Sequence, residues 1–439
     1  MTRNFYALIF SAVMILSAIF ISGCGSDTEI LPPQMPDSVN PAPKPDPNFD
    51  KIESDVYFDA TVSMQGYTTL DGGNVYRNLP DSLNDICGRM GGVSFYSFGE
   101  KIQPLNGRDY RRFNSPAPYT EIITAVHNVI DNANSEHLSI IVTDLFENDA
   151  DWSNIAQKIR EKYFTNNLAA AVIGIKNSFN GDIFDIDFNA AKIPYNSNLA
   201  EERFRPFYLL VLGQEPAVKV FIQKFSEKQS LPNETKYLLL SKKLASTMSE
   251  FPEDPALLKL ENFFAEEKLK LDENPAYNGV DEFALDNFDE PAAFESYFYY
   301  KPAFDALPLD MSKMNFSAKI FYADNGEWIE RNKNDARITL TPAGETQNSY
   351  TIRLELTPEK SLNKGTLNFV QILIAPADKA YKLPAWIDTW NMSEVDVNPV
   401  NFDGAKTVNL AKTLDSLKDS AITAPIPPLV NLKFIVDVP

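Results

Sequence analysis

Cysteine and histidine are nearly absent from this 439-residue sequence, which contains two of each. That scarcity excludes a disulfide framework and a Cys/His zinc site, and it removes most His-dependent catalysis. Basic side chains are also in deficit, 40 against 60 acidic ones, for a net charge of −20 at pH 7. A protein that neutralises phosphates needs a basic face, so nucleic acid is excluded as a partner. Apolar material is not scarce. With 44% hydrophobic and 12% aromatic residues the chain can build packed cores, and its length suggests two or three domains. The chemistry left to it is mainly that of oxygen ligands.

Arg3 precedes an almost unbroken apolar run from Phe5 to Ile21, which closes with Ile21-Ser22-Gly23-Cys24. These residues resemble the lipobox of bacterial lipoproteins, in which small residues precede a lipidated cysteine. The resemblance implies a signal peptide over 1–23 and lipidation at Cys24. It also implies a bacterial cell-envelope location, anchored to the outer or cytoplasmic membrane with the body outside the cytoplasm. A plain transmembrane anchor ending near a cysteine is the alternative. The segment 24–50 then carries Pro32, Pro33, Pro36, Pro41, Pro43, Pro45 and Pro47 among polar residues, the composition of an extended tether. With Cys24 lipidated, Cys87 has no partner and reads as a buried thiol on a helix.

Residues 51–228 alternate short apolar strands with amphipathic helices. Strands are expected at Ile52–Phe58, Val93–Phe98, Leu138–Val142, Ala169–Ile175 and Phe207–Leu212. Helices are expected at Val75–Met90, Glu121–Ala133, Trp152–Phe164 and Ala217–Phe225. Little alternation within the strands implies a sheet covered on both faces, so the expected class is α/β, a doubly wound and mainly parallel sheet. Ligands in such sheets bind at the carboxyl ends of strands. Those ends hold Asp59-Ala60-Thr61-Val62-Ser63-Met64-Gln65-Gly66, then Tyr119-Thr120, then Thr143-Asp144. Two carboxylates and three hydroxyls at one edge form an all-oxygen set suited to a hard divalent cation, Mg²⁺ with Mn²⁺ or Ca²⁺ as alternatives.

Here the sequence resembles a von Willebrand factor A domain with its metal-ion-dependent adhesion site, written Asp-x-Ser-x-Ser, a distant Thr and a distant Asp. Asp59, Thr61 and Ser63 match the first element, Thr120 the second and Asp144 the third; Met64 and Gly66 extend the match. Thr61 departs from the usual Ser, and Leu145 stands where the family commonly has Gly. The resemblance implies a metal bound by Asp59, Thr61, Ser63, Thr120 and Asp144, and a protein partner offering a carboxylate as a further ligand. Taken singly, Asp59 also reads as a turn cap, Thr120 as a helix N-cap, and Glu147 as a solvated loop charge or a partner of the ligands.

An enzyme is not expected. A dehalogenase-like phosphatase needs a general acid two positions after the first Asp, where Thr61 stands, and a hydroxyl cannot transfer a proton near neutrality. Neither Cys87, His127 nor His137 has the setting of an activated nucleophile or its base. The connection from Asn177 to Arg205 is long and aromatic, with Phe179, Phe184, Phe188 and Tyr195, and is expected to fold back over the sheet or to dock on the next domain.

The second half reads as β-structure. Phe316–Tyr322, Tyr350–Leu356 and Val430–Val438 alternate apolar with polar residues, Leu367–Ile374 is a further strand, and Asp324-Asn325-Gly326 marks a hairpin. A mostly antiparallel, β-sandwich-like domain is expected over 311–439, with a short helix from Val408 to Leu417 covering one edge. Residues 229–310 form a connecting region; Lys236–Leu244 and Phe263–Leu271 each fit strand or helix. The aromatics from Phe294 to Tyr300, with Trp386 and Trp390, suit either core packing or a polysaccharide- or solute-binding platform.

Overall fold

The structure, a computed structural model, describes residues 51–70, 75–145, 152–184, 192–228, 235–241, 248, 251, 257–265, 280–299, 307–343, 349–377, 379–393, 402–422 and 428–439. The signal segment, Cys24, the Pro-rich tether, Glu147 and Phe188 lie outside the described residues.

The first half runs β1 (Ser54–Asp59), α1 (Val75–Met90), β2 (Val93–Phe98), β3 (Ile102–Leu105), α2 (Val126–Asn132), β4 (Leu138–Thr143) and α3 (Trp152–Lys162). It continues with β5 (Ala169–Asn177), a hairpin of β6 (Asn180–Phe184) and β7 (Lys192–Asn196), β8 (Arg205–Gly213), α4 (Glu215–Ser226) and β9 (Thr235–Leu240). Apolar residues at helical spacing explain α1, whose Tyr76, Leu79, Leu83, Ile86, Cys87 and Met90 are all buried. Strands β1, β4 and β8 are buried along their whole length, as unbroken apolar strands between two helical layers must be.

Seven strands form one sheet in the order β3-β2-β1-β4-β8-β5-β9. The expectation of a mainly parallel sheet is corrected here: β1 pairs in parallel with β2 and β4, while β2–β3, β4–β8, β8–β5 and β5–β9 are antiparallel. The reason is the connection from β5 to β8. Its described residues form the β6–β7 hairpin and a single 3-10 turn at Glu201–Arg203 in place of a crossover helix, so the chain returns beside β5 in the opposite direction. Phe179, in that connection, packs edge-on against Tyr67 with ring centroids 4.9 Å apart. A Cβ on Gly66 would lie 2.3 Å from the Phe179 ring, so only glycine admits this contact. The long connection thus folds back onto the loop that follows β1.

The second half adds β10 (Leu258–Glu261), β11 (Phe263–Ala265), β12 (Asp281–Leu285), β13 (Ala292–Tyr299), β14 (Met314–Asp324), β15 (Glu327–Glu330), β16 (Arg337–Pro342), β17 (Ser349–Leu356) and β18 (Thr366–Pro376). Then come α5 (Ala385–Trp390), β19 (Asn391–Met392), β20 (Thr407–Val408), α6 (Leu410–Ile422) and β21 (Val430–Val438). Sheets β10-β13-β17-β16 and β11-β12-β21-β18-β14-β15 share one apolar core, in which Phe294 of the first meets Phe434 of the second at 5.5 Å. All pairings in both sheets are antiparallel except β12–β21. Asn325 and Gly326 both have positive φ, 50° and 83°, the twist that a two-residue hairpin between β14 and β15 requires.

The boundary expected near residue 229 and the helix expected on the sandwich are both corrected. Strand β9 is the edge of the seven-stranded sheet. Helix α6 packs on α3, and its Leu410, Leu414 and Leu417 share a core with Ile155, Ile159, Tyr208 and Leu210 of the first half. Trp390 of α5 lies against Gly174 of β5, where a Cβ would stand 2.8 Å from the indole. Tyr208 and Thr407 share a hydrogen bond of 2.8 Å, and Arg205 donates to the backbone oxygens of Gly404 and Lys406. The chain therefore leaves the α/β unit after β9, builds most of the sandwich, returns to cover one face of the first sheet, and ends in the sandwich with β21.

Candidate metal centre

Strand β1 ends at Asp59, and the chain then turns through Ala60 and Thr61 into a 3-10 helix over Val62–Thr68. The turn is held by Asp59 itself: the backbone N–H and the hydroxyl of Thr61 both donate to Asp59 Oδ1, at 3.0 and 2.6 Å. Ser63 Oγ lies 3.0 Å from Thr61 Oγ1. The Asp-x-Thr-x-Ser spacing thus gathers three oxygen-bearing side chains on one turn, and all three are buried.

Glu121 accounts for the late start of α2. Its N–H donates to the Ala60 carbonyl and its own carbonyl accepts from Val62, so 121–125 is tied to the site loop and the helix begins only at Val126. Thr120 is exposed, on a shallow cleft of about 300 Å³ that Lys101 and Arg112 also line. Thr124 is the buried hydroxyl of this stretch, 1% exposed, and it donates to Thr61 Oγ1 at 3.3 Å. Of the expected set, Asp59, Thr61 and Ser63 are brought into direct contact and Thr120 is not; Thr124 stands in the place expected of it. Thr124 had a signal in the sequence, since it stands two residues before the first residue of α2, but Thr120 matched the expected N-cap first.

Asp144 follows β4 and is 4% exposed; Asp59 is fully buried. The Asp59 carboxyl is pushed up to about 7, first by burial and then by the charge of Asp144, against hydrogen bonds from Thr61 and from Thr143, whose hydroxyl donates to Asp59 Oδ2 at 3.1 Å. No cationic side chain is among these influences. Leu145 takes a left-handed backbone, φ 63°, where the adhesion-site family commonly has glycine. Its N–H is held by Thr143 Oγ1 and its carbonyl by the Trp152 indole, which together maintain the sharp turn after Asp144.

Among the described residues, no three His, Cys, Asp or Glu side chains converge as a metal site. A divalent ion here would rely on two carboxylates and on hydroxyl oxygens. The donor set fits a hard cation on one observation: two carboxylates are buried side by side at a cost that a divalent charge would offset.

The other candidates fall into packing roles. Cys87 is buried in α1, and burial pushes its thiol up to about 12. His127 lies half-buried on α2. Phe294 and Phe298 belong to the sandwich core, and Trp390 to the interface with β5. No helix among the described residues is long and apolar enough to cross a membrane. No protein-family model matches the chain, and no curated protein matches it.

Proposed function

We propose that the α/β unit binds a protein partner through a Mg²⁺-dependent site of the von Willebrand factor A kind, as an adhesion or assembly module and not as an enzyme. The observation that carries this reading is the buried Asp59–Asp144 pair, in which the charge of Asp144 raises the Asp59 carboxyl while the Thr61 and Thr143 hydroxyls donate to it. Asp59 and Asp144 supply the negative charge, and Thr61, Ser63 and Thr124 supply neutral oxygens. The bound ion supplies an electrophilic position that a partner's carboxylate can fill. Ile122 is 79% exposed between Thr120 and Thr124 and offers the partner an apolar contact. On this reading the lipidated Cys24 holds the protein at the bacterial envelope.

Titration calorimetry with Mg²⁺ and Mn²⁺ tests the centre, and a pull-down from envelope extract with and without Mg²⁺ tests its use. Thr124→Ala is expected to weaken Mg²⁺ binding roughly 10- to 100-fold, the usual effect of removing a group that orients metal ligands. Thr120→Ala is expected to leave it unchanged. The reverse pattern would return Thr120 to the site.

The anchor is tested separately. Cys24→Ser is expected to move the protein from the membrane fraction to the soluble one, because serine forms no thioether. Membrane retention of an uncleaved Cys24→Ser protein would instead assign the anchor to the apolar run from Phe5 to Ile21.

A further inference from the structure

Helix α2 has only seven residues and cannot cover the full width of the sheet beneath it. Beside it a cavity of about 710 Å³ opens over β1 and β2. Its floor is two cross-strand pairs in register, Asp55 with Ser94 and Tyr57 with Tyr96. The two tyrosine rings stack with centroids 4.9 Å apart; Tyr57 is buried and Tyr96 half-buried. Asn128 and Asn132, one turn apart on α2, form the wall, and His137 closes one end.

The polar atoms of this cavity are unbalanced. Asp55 is 6% exposed and uses Oδ2 on His137 Nδ1, at 2.9 Å, while its Oδ1 has no partner among the described residues. Asn128 and Asn132 each spend one amide N–H on a backbone oxygen, of Glu100 and of Asn128, which leaves on each the Oδ1 acceptor and a second N–H. A ligand that fills the cavity must therefore bring groups that both donate and accept. It must also bring a flat apolar face for the Tyr96 ring. An apolar ligand would strand the Asp55 oxygen, and an anion would meet the carboxylates of Asp55 and Glu100 in a lining whose one lysine is Lys101.

We propose that the cavity over Asp55, Tyr57 and Tyr96, walled by Asn128 and Asn132, binds a neutral saccharide, whose hydroxyls donate to the free oxygens while a C–H face of a sugar ring stacks on Tyr96. The volume lies within the range of ordinary small-ligand sites. The inference is independent of the metal centre, which lies at the carboxyl end of β1 while Asp55 lies near its start.

The test is calorimetric titration of the full chain, with EDTA present, against neutral hexasaccharides of the α- and β-glucan, mannan, xylan, galactan and chitin types. At least one is expected to bind in the millimolar range or tighter. Tyr96→Ala is expected to weaken that binding at least about tenfold, the equivalent of about 1.4 kcal/mol. Asn132→Ala, an exposed change that leaves the fold intact, is expected to weaken it measurably, and Asp59→Ala not at all. If no hexasaccharide binds at about 10 mM, the proposal is overturned. Binding to Asn132→Ala equal to that of the wild type would overturn it as well, whatever the stability of Tyr96→Ala.

Discussion

Asp59→Asn is expected to raise the melting temperature of the metal-free protein at pH 8 and to abolish Mg²⁺ binding. Asp59 has its pKa raised from 3.8 to about 7 by burial and by Asp144, so between those values the folded state holds a proton that the unfolded chain has released. Stability therefore falls as pH rises through this window, and above pH 7 the whole penalty is present. Its size is on the order of 4 kcal/mol at most. Asparagine keeps an acceptor for the two Thr61 donors and carries no charge, so it removes the penalty. Mg²⁺ acts in the opposite sense. At a concentration of 100 times Kd it stabilises the wild type by about 2.7 kcal/mol and leaves Asp59→Asn where it was. Thermal unfolding at pH 5 and pH 8, with EDTA or with excess Mg²⁺, reads all of this. A wild type whose melting temperature ignores Mg²⁺, or an Asp59→Asn protein less stable than the wild type in EDTA at pH 8, would remove the metal reading and leave only the fold.

The second large effect is expected from α6. Leu410, Leu414 and Leu417 are fully buried against the α/β unit although they lie far from it in the sequence. Each leucine cut to alanine costs about 2–5 kcal/mol in a packed core, and a domain holds only about 5–15 kcal/mol in all. Leu414→Ala is thus expected to destabilise the protein by about 3 kcal/mol, seen as a lower urea midpoint with unchanged slope. A fragment of residues 51–241 should be insoluble or molten, since it exposes Ile155, Ile159, Tyr208 and Leu210. A soluble fragment with cooperative unfolding would mean that α5 and α6 are appendages and not part of the core.

Local signals carried well into the structure. The limits of α1, β2 and β21 match their expected spans, because each rests on a periodicity that its own residues set. Direction and partner are not local properties. Arg205–Gly213 is equally apolar run either way, so nothing within it distinguishes a parallel strand from the antiparallel one observed; the cue was the connection before it, whose described residues form a hairpin. In the same way the amphipathic pattern of α6 asks for an apolar surface without specifying which, and both halves of the chain offer one. At the site, spacing located the turn of Asp59, Thr61 and Ser63. It misplaced the threonine that joins them, because Thr120 and Thr124 differ only in how the backbone at Glu121 is engaged.

The path of the chain out of the α/β unit and back has a consequence for biosynthesis. Between β9 and α6 the ribosome must deliver residues 241–410, which at about 5–20 residues per second takes roughly 10–35 s. Until α5 and then α6 arrive, the apolar face of α3 and β8 lacks most of its cover. Strand β21, which sits between β12 and β18, follows α6 in the chain, so the sandwich closes later still. A nascent chain of this design stays open, and fit to pass through a narrow channel, until residues 410–438 have emerged.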